Sequence, residues 1–348
     1  MNDQEKVRAL LPHWIEHNAE HATEFRRWAE KVRAAGREEV AEEIALAAKE
    51  LGWVNEALAS ALETLGGPAE HTAHHEHELM AVLYGPVPSW RLGRSLGVDL
   101  LPGRGKICSF DCVYCQLGRA SRFTVERQVY VETEKLERDL DALPLTEADV
   151  DYLTISGTGE PTLAANLGEA IDLVRNRPAL QGVPVAVLTN ATLLSRPDVC
   201  RELAHVDLVV AKMDAPDEAL FRTINRPVAG VSWLQVLKGI QAFRQQFGGR
   251  LALQMMFIDA NRRQADEMAT LARGLDPDEV QLNTPLRASP TPPLERAAMA
   301  EIEQVFSGLS VVNVYDAQPP TVRALDMAEM RRRRPAEGHP HAVEMEVN

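Results

Sequence analysis

Cys108, Cys112 and Cys115 stand in the spacing C-x3-C-x2-C, within the run Lys106-Ile107-Cys108-Ser109-Phe110-Asp111-Cys112-Val113-Tyr114-Cys115. Three thiolates on one short loop can each take one iron of a [4Fe–4S] cube. The fourth iron is then left without a protein ligand, open to a substrate or cofactor. A zinc site and a fully ligated electron-transfer cluster are the rival readings, and both ask for a fourth protein ligand. The chain has four cysteines, and three of them fall in this loop. So tight a cluster points to metal or redox chemistry, because a disulfide framework spreads its cysteines along the chain. Cys200 stands apart in a helical stretch and reads as a small buried hydrophobe.

Other positions could serve the same site. Gly157 and Gly159, in Gly157-Thr158-Gly159-Glu160-Pro161, permit close backbone approach to a ligand. Glu160 can accept hydrogen bonds from an ammonium group; the bland alternative is a tight turn with an exposed glutamate. Thr189-Asn190, Lys212-Met213-Asp214 and Asn283-Thr284-Pro285 each end a candidate strand, where polar side chains either touch a ligand or cap the strand. Arg91 and Arg94 precede the cysteines and face either substrate or a nearby acid. Gly105-Lys106 lacks the remaining residues of a phosphate loop, and Gly93-x3-Gly97 lacks a dinucleotide fingerprint.

The elements that must position these residues follow from periodicity. Candidate strands are Leu96 to Leu101, Tyr152 to Ser156, Val183 to Leu188, Val206 to Lys212, Leu251 to Phe257 and Val280 to Asn283, each followed by a helical pattern. Near-continuous apolar runs such as Val206-Asp207-Leu208-Val209-Val210 suit parallel strands covered on both faces. The alternation predicts an α/β fold, a partial parallel (β/α)6 barrel or an open sheet, with its chemistry in loops after the carboxyl ends of the strands.

Ahead of this lies a different regime. Val7, Leu11, Trp14, Asn18, His21, Phe25, Trp28 and Val32 form one helical stripe, and Val40, Ile44, Ala47, Leu51, Val54, Leu58, Leu62 and Leu65 a second. A short connection at Gly36 predicts an antiparallel hairpin. His13, His17 and His21 recur along one edge, although the outer pair is roughly 12 Å apart in helix rise and cannot share an ion. Asn18, His21 and Asn55, with Glu56 nearby, are expected at one level, either fixing register by mutual hydrogen bonds or completing a metal site. The expected organisation is a hairpin over 1–67, a His-rich linker over 68–83, the barrel over 84–316 and a polar tail over 317–348.

The formal net charge of −14 disfavours a broad nucleic-acid-binding surface, and Arg331 to Arg334 reads as a solvated arginine run. No segment approaches the roughly 20 apolar residues of a membrane span, so a cytoplasmic protein without membrane contact is expected.

Taken with its context, the cysteine loop resembles the signature of the radical S-adenosylmethionine superfamily. Tyr84-Gly85-Pro86-Val87-Pro88-Ser89 and Arg91-Leu92-Gly93-Arg94-Ser95-Leu96-Gly97 are similar to a subgroup placed beside the wyosine-type tRNA-modifying Fe–S oxidoreductases. The likeness runs from about Tyr84 to about Pro290 and leaves out the hairpin. It implies a [4Fe–4S] cluster on Cys108, Cys112 and Cys115, S-adenosylmethionine on the open iron, and reductive cleavage to a 5′-deoxyadenosyl radical that abstracts hydrogen from substrate. It further implies that Gly159, Glu160 and Pro161 hold the methionine amine. Tyr114, Thr189 and Asn190 are second-rank cofactor contacts. A one-electron reductant such as flavodoxin or ferredoxin is the implied partner. Substrates of three kinds remain open (tRNA base, protein, metabolite), as does a non-catalytic electron carrier or sensor.

Overall fold

The computed structural model describes residues 3–65, 81–103, 105–145, 149–287, 289–318, 320–322 and 324–325. The chain forms two compact units, Met1–His77 and Glu78–Asn348. Most of the expected linker, the Arg331–Arg334 run and all of the tail beyond 325 lie outside the described residues. Among the described residues no helix is long and apolar enough to cross a membrane.

The first unit is a hairpin of α1 (Asp3–Ala34) and α2 (Glu38–Thr64). Gly36 turns the corner with φ of 77°, a conformation that costs a residue without a Cβ little. The buried seam differs from the expected stripe. Leu11, Ala22, Ala29, Ala41, Ala48 and Leu62 are buried, whereas Val7, Trp14, Trp28, Val40 and Val54 are exposed. Small residues let two helix backbones approach closely, so alanines take the seam and the bulky side chains are rotated out of it. The expected polar level is also absent. Asn55 Nδ2 donates to the Ile15 carbonyl (2.7 Å), while His21 is exposed, stacked edge-on to His17 at 4.5 Å and near Glu24. Among the described residues of the hairpin, no three His, Cys, Asp or Glu side chains are grouped to hold a metal ion.

The second unit is built on an eight-stranded sheet in the order β1-β2-β5-β6-β7-β8-β9-β10. Its strands are β1 (Leu83–Ser89), β2 (Gly93–Val98), β5 (Tyr152–Ile155), β6 (Val185–Thr189), β7 (Leu208–Lys212), β8 (Arg250–Met256), β9 (Glu279–Asn283) and β10 (Val311–Asn313). β3 (Lys106–Cys108) and β4 (Ala120–Phe123) form a separate parallel pair. From β2 to β10 neighbouring strands are parallel. The expected partial barrel is therefore present, with two further strands at its ends. β1 was hidden by Pro86 and Pro88, which an edge strand tolerates because the missing N–H faces away from the ladder. β10 is only three residues long.

The helices α3 (Thr133–Asp141), α4 (Leu167–Arg175), α5 (Pro197–Leu203), α6 (Glu218–Ile224), α7 (Trp233–Gln246), α8 (Ala265–Leu275) and α9 (Arg296–Val305) connect the strands. One face of the sheet joins these helices in a large core through Leu96, Leu153, Val187, Val209, Leu253 and Val280. The alternate positions form a smaller apolar cluster of Ala186, Leu208, Val210 and Ala252, and the same face carries Ser95, Thr154, Lys212, Gln254 and Gln281. A sheet face lined by hydroxyls, amides and small side chains is the concave interior in which such folds place ligands. Cys200 is buried in α5 and donates to the Leu194 carbonyl.

Candidate active site

Cys108 ends β3, and the loop that follows is fixed from both sides. On one side Ile107 N donates to the Thr158 carbonyl and Glu160 N to the Ile107 carbonyl, each at 3.0 Å. Gly159 is pressed against the same strand: a Cβ there would lie 1.7 Å from the Ile107 oxygen. Its glycine identity is therefore explained by backbone approach to β3. Gly159→Ala is expected to push the two segments apart, costing about 1–3 kcal/mol of stability and lowering bound iron, because Cys108 rides on the displaced strand. Urea denaturation and an iron assay check this.

On the other side Asp111 N donates to the carbonyls of Asn225 (3.0 Å) and Arg226 (3.1 Å), and Val113 N to that of Ile224 (2.9 Å). Phe110 is buried edge-on against Phe221 of α6, ring centres 5.2 Å apart. These contacts come from residues more than a hundred positions downstream.

Lys106, set aside in the sequence, carries a buried ammonium that donates to the Gly118 carbonyl (3.1 Å) and meets Asp111 at 3.5 Å. Burial works to lower its pKa, yet negative charge on Cys115, Cys108, Cys112 and Asp111 holds it above the ordinary value. A buried cation thus lies within electrostatic reach of all three cysteines. Two amides point at sulfur as well: Asn190 Nδ2 lies 3.6 Å from Cys108 Sγ and Asn225 Nδ2 3.5 Å from Cys112 Sγ.

Glu160 is buried and heavily engaged. Its Oε1 accepts from Thr162 N (3.1 Å), Thr162 Oγ1 (2.6 Å) and Thr189 Oγ1 (2.6 Å), and its Oε2 from Asn190 N (2.6 Å). Burial raises its pKa and these donors oppose the rise. A carboxylate offers about four acceptor positions, two on each oxygen, so Oε2 keeps one for a further donor such as an ammonium. Pro161 begins the 3-10 turn Pro161–Leu163 that Glu160 caps. Thr189 is thereby spent on Glu160, and Asn190 on Ser109 Oγ (2.9 Å) and Thr192. Behind them Asp99, fully buried at the end of β2, accepts from Leu101 N, Thr158 N and the Thr158 hydroxyl, holding the glycine loop to the sheet.

Tyr114, expected at the cofactor, donates its hydroxyl to Asp214. Asp214 also accepts from Asn225 Nδ2 (2.7 Å) and Met256 N (2.9 Å), with Lys212 Nζ at 3.7 Å. Lys212 stands 5.1 Å over the Tyr114 ring. Lys212 and Asp214 thus belong to the support beneath Cys112. Thr284 is structural, bonded to the Phe257 carbonyl and Leu294 N. Arg94 pairs with Asp151 at 2.7 Å, whereas Arg91 turns into the barrel and reaches the Gln281 amide oxygen at 3.4 Å. Sequence reasoning missed Lys106, Asp99, Ser109, Asn225 and Arg287. A cation two residues from a thiol was the one available signal; the partners that tie the others to the site, Thr158 for Asp99, Asn190 for Ser109, Cys112 for Asn225 and Gln116 for Arg287, lie far away in sequence.

Burial, with Glu160 next, pushes the Cys108 thiol from 9.0 up to about 12, and burial raises Cys112 too. The folded chain thus holds these protons more tightly than the unfolded one, an advantage complete below pH 9 and lost as pH rises towards 12. Cluster-free protein is expected to show a falling urea midpoint across that window. Cys108→Ala flattens the fall.

Comparison with known proteins bears on what this loop holds. Residues 104–272 match the family described as the Radical SAM superfamily, and residues 7–65 a domain of unknown function, DUF8180. A UPF0026 protein of Synechocystis sp. is 43% identical over 211 residues, covering 60% of this chain and 77% of the relative. The chain belongs to the radical SAM superfamily. A UPF0026 protein of Methanocaldococcus jannaschii is 35% identical over 240 residues, 67% of this chain and 72% of the relative. Among solved structures, a radical SAM methyltransferase from Sphaerobacter thermophilus aligns with TM-score 0.47 and 18% identity, over 63% of this chain and 65% of that chain.

Radical SAM proteins are enzymes that use a [4Fe–4S] cluster and S-adenosylmethionine. The donor set here fits such a cluster. Three soft thiols stand on one loop, a buried ammonium faces them, and amide N–H groups point at two of the sulfurs, which is how proteins stabilise anionic iron–sulfur cubes.

Proposed function

We propose that Cys108, Cys112 and Cys115 hold the [4Fe–4S] cluster and that the Gly157–Pro161 loop holds the methionine end of S-adenosylmethionine beside it. When bound, the reduced cluster supplies the electron that cleaves the cofactor to a 5′-deoxyadenosyl radical, which takes a hydrogen atom from substrate. The observation that carries this reading is the clamp of Ile107 between Thr158 and Glu160, which couples the cysteine strand to the glycine loop through two 3.0 Å backbone hydrogen bonds. Loop and carboxylate are thereby held in fixed relation before either cofactor arrives, so less ordering accompanies binding. Glu160, with an acceptor position left on Oε2, receives the ammonium. Asn190 orients Cys108 and, through its backbone N–H, Glu160. Asn225 does the same for Cys112, and Lys106 offsets the negative charge of the three thiolates. The partner supplying electrons is a flavodoxin or ferredoxin, and the hairpin over 1–67 is a separate module from the barrel over 84–316.

Incubating anaerobically purified protein with S-adenosylmethionine and dithionite tests this without knowledge of the substrate. The expected result is a brown protein that releases methionine and 5′-deoxyadenosine. A brown protein that releases neither would be an electron carrier or sensor, and a colourless one with stoichiometric zinc would end the iron–sulfur reading.

A further inference from the structure

A cavity of about 240 Å³ opens inside the barrel between the β1–β2 turn and the cysteine loop. Its wall includes Thr158 and Gly159 on one side and Gln116, directly after Cys115, on another, so whatever fills it lies against the proposed cofactor loop. Two guanidinium groups stand in that wall, Arg91 half-buried and Arg287 exposed, and among the described residues no acidic one does. This is unusual ground in a chain with 51 acids against 37 lysines and arginines.

Neither arginine forms a salt bridge among the described residues. Arg91 reaches the Gln281 amide oxygen and lies over the Trp90 ring, 5.1 Å from its centre, and Arg287 meets the Gln116 amide oxygen at 3.2 Å. The carboxylate that acts on Arg91 from nearby, Glu279, is already taken by Arg250 (3.3 Å) and by Gln281 Nε2 (2.8 Å). Burial and the positive charge of Arg287 lower the Arg91 pKa to about 10, which leaves it charged at neutral pH. Two cations without a salt bridge in the wall of one cavity are a standing cost unless something negative comes between them. Hydroxyls complete the lining, with Tyr84 and Ser156 paired at 2.9 Å and Ser95 and Thr154 at 2.6 Å.

We infer that Arg91 and Arg287 form an anion subsite, and that the substrate of the barrel is a small molecule carrying a phosphate or carboxylate group. The subsite rests on the radical reading only for its role in turnover, since anion binding needs no chemistry. A forked guanidinium binds either group through paired, charge-assisted hydrogen bonds.

The test titrates the full-length, cluster-loaded protein calorimetrically, under anaerobic conditions, with inorganic phosphate and separately with succinate. Saturable one-site binding of at least one anion is expected, and the tighter of the two names the class. Arg91→Gln and Arg287→Gln should each weaken it by about tenfold or more, the loss of a charge-assisted bidentate contact. Arg287 is exposed, so its replacement removes charge without opening the core, and the inference stays testable if Arg91→Gln fails to fold. Binding of neither anion, or wild-type affinity in Arg287→Gln, overturns the subsite. A parallel loss of S-adenosylmethionine affinity in the variants also overturns it, because the arginines would then serve the cofactor's own carboxylate. Absence of 5′-deoxyadenosine from the wild type would defeat the radical reading instead, and leaves the anion titration to be judged by itself.

Discussion

Cys108→Ala, Cys112→Ala and Cys115→Ala each yield a folded protein with iron and 5′-deoxyadenosine formation at background. A cube already one protein ligand short has none to spare, and two thiolates on a loop cannot retain it against chelators or oxygen. Folding should survive. The loop is tied down by backbone bonds to Thr158, Ile224 and Asn225 and by the buried Phe110 ring, none of which involves a cysteine side chain. Removing one sulfur costs about 1 kcal/mol, an ordinary small truncation. Cys200→Ala is the control: its thiol, in α5, bonds the Leu194 carbonyl ahead of that helix, so the variant loses a similar amount of stability but keeps full iron. Iron by chelation assay, together with the visible absorbance of anaerobically purified protein, decides the matter. Normal iron in any one of the three loop variants would remove that residue from the ligand set.

Asp214→Ala has the largest expected effect on stability, about 3–5 kcal/mol, the range found when one partner of a buried charged network is removed. Asp214 accepts from the Tyr114 hydroxyl, Asn225 Nδ2 and Met256 N, and it is the carboxylate beside Lys212. Its loss leaves the Tyr114 hydroxyl and Met256 N without their acceptor and removes the carboxylate shared by Asn225 and Lys212, and each unsatisfied buried group costs about 1–3 kcal/mol. Asp214→Asn keeps the shape but turns an N–H towards other donors, so it should recover little. Asn225 also donates to Cys112 Sγ, so a second consequence is expected: reduced iron retention in protein that remains folded. Lys212→Met, which removes the cation and leaves every other donor paired, should be milder in both respects. The checks are a guanidinium denaturation midpoint and an iron assay on the same preparations. A loss under 1 kcal/mol would mean that the network is solvated rather than supporting the loop.

The limits of reading this chain from its sequence lie in particular residues. Tyr114 was expected at the cofactor because it adjoins Cys115; that its hydroxyl is held by a residue one hundred positions away was not legible there. The hairpin face was rotated because tryptophan and valine outweigh alanine in any apolar pattern, whereas a two-helix seam favours the small side chain that lets backbones close up. β1 escaped notice because Pro86 and Pro88 usually end strands, and their tolerance depends on lying at a sheet edge.

By itself the sequence determined the three-cysteine loop and the repeating strands, because both are local: thiol spacing within eight residues and apolar runs of strand length. Only the tertiary structure decided which groups face those thiols and what lines the barrel. Lys106 acquires its role by burial, Asn225 by the return of the chain after α6, and the pairing of Arg91 with Arg287 by curvature that brings residues 196 positions apart (287 − 91) to one cavity. Electrostatic partnership is a property of distance in space, and the linear order of residues carries no record of it.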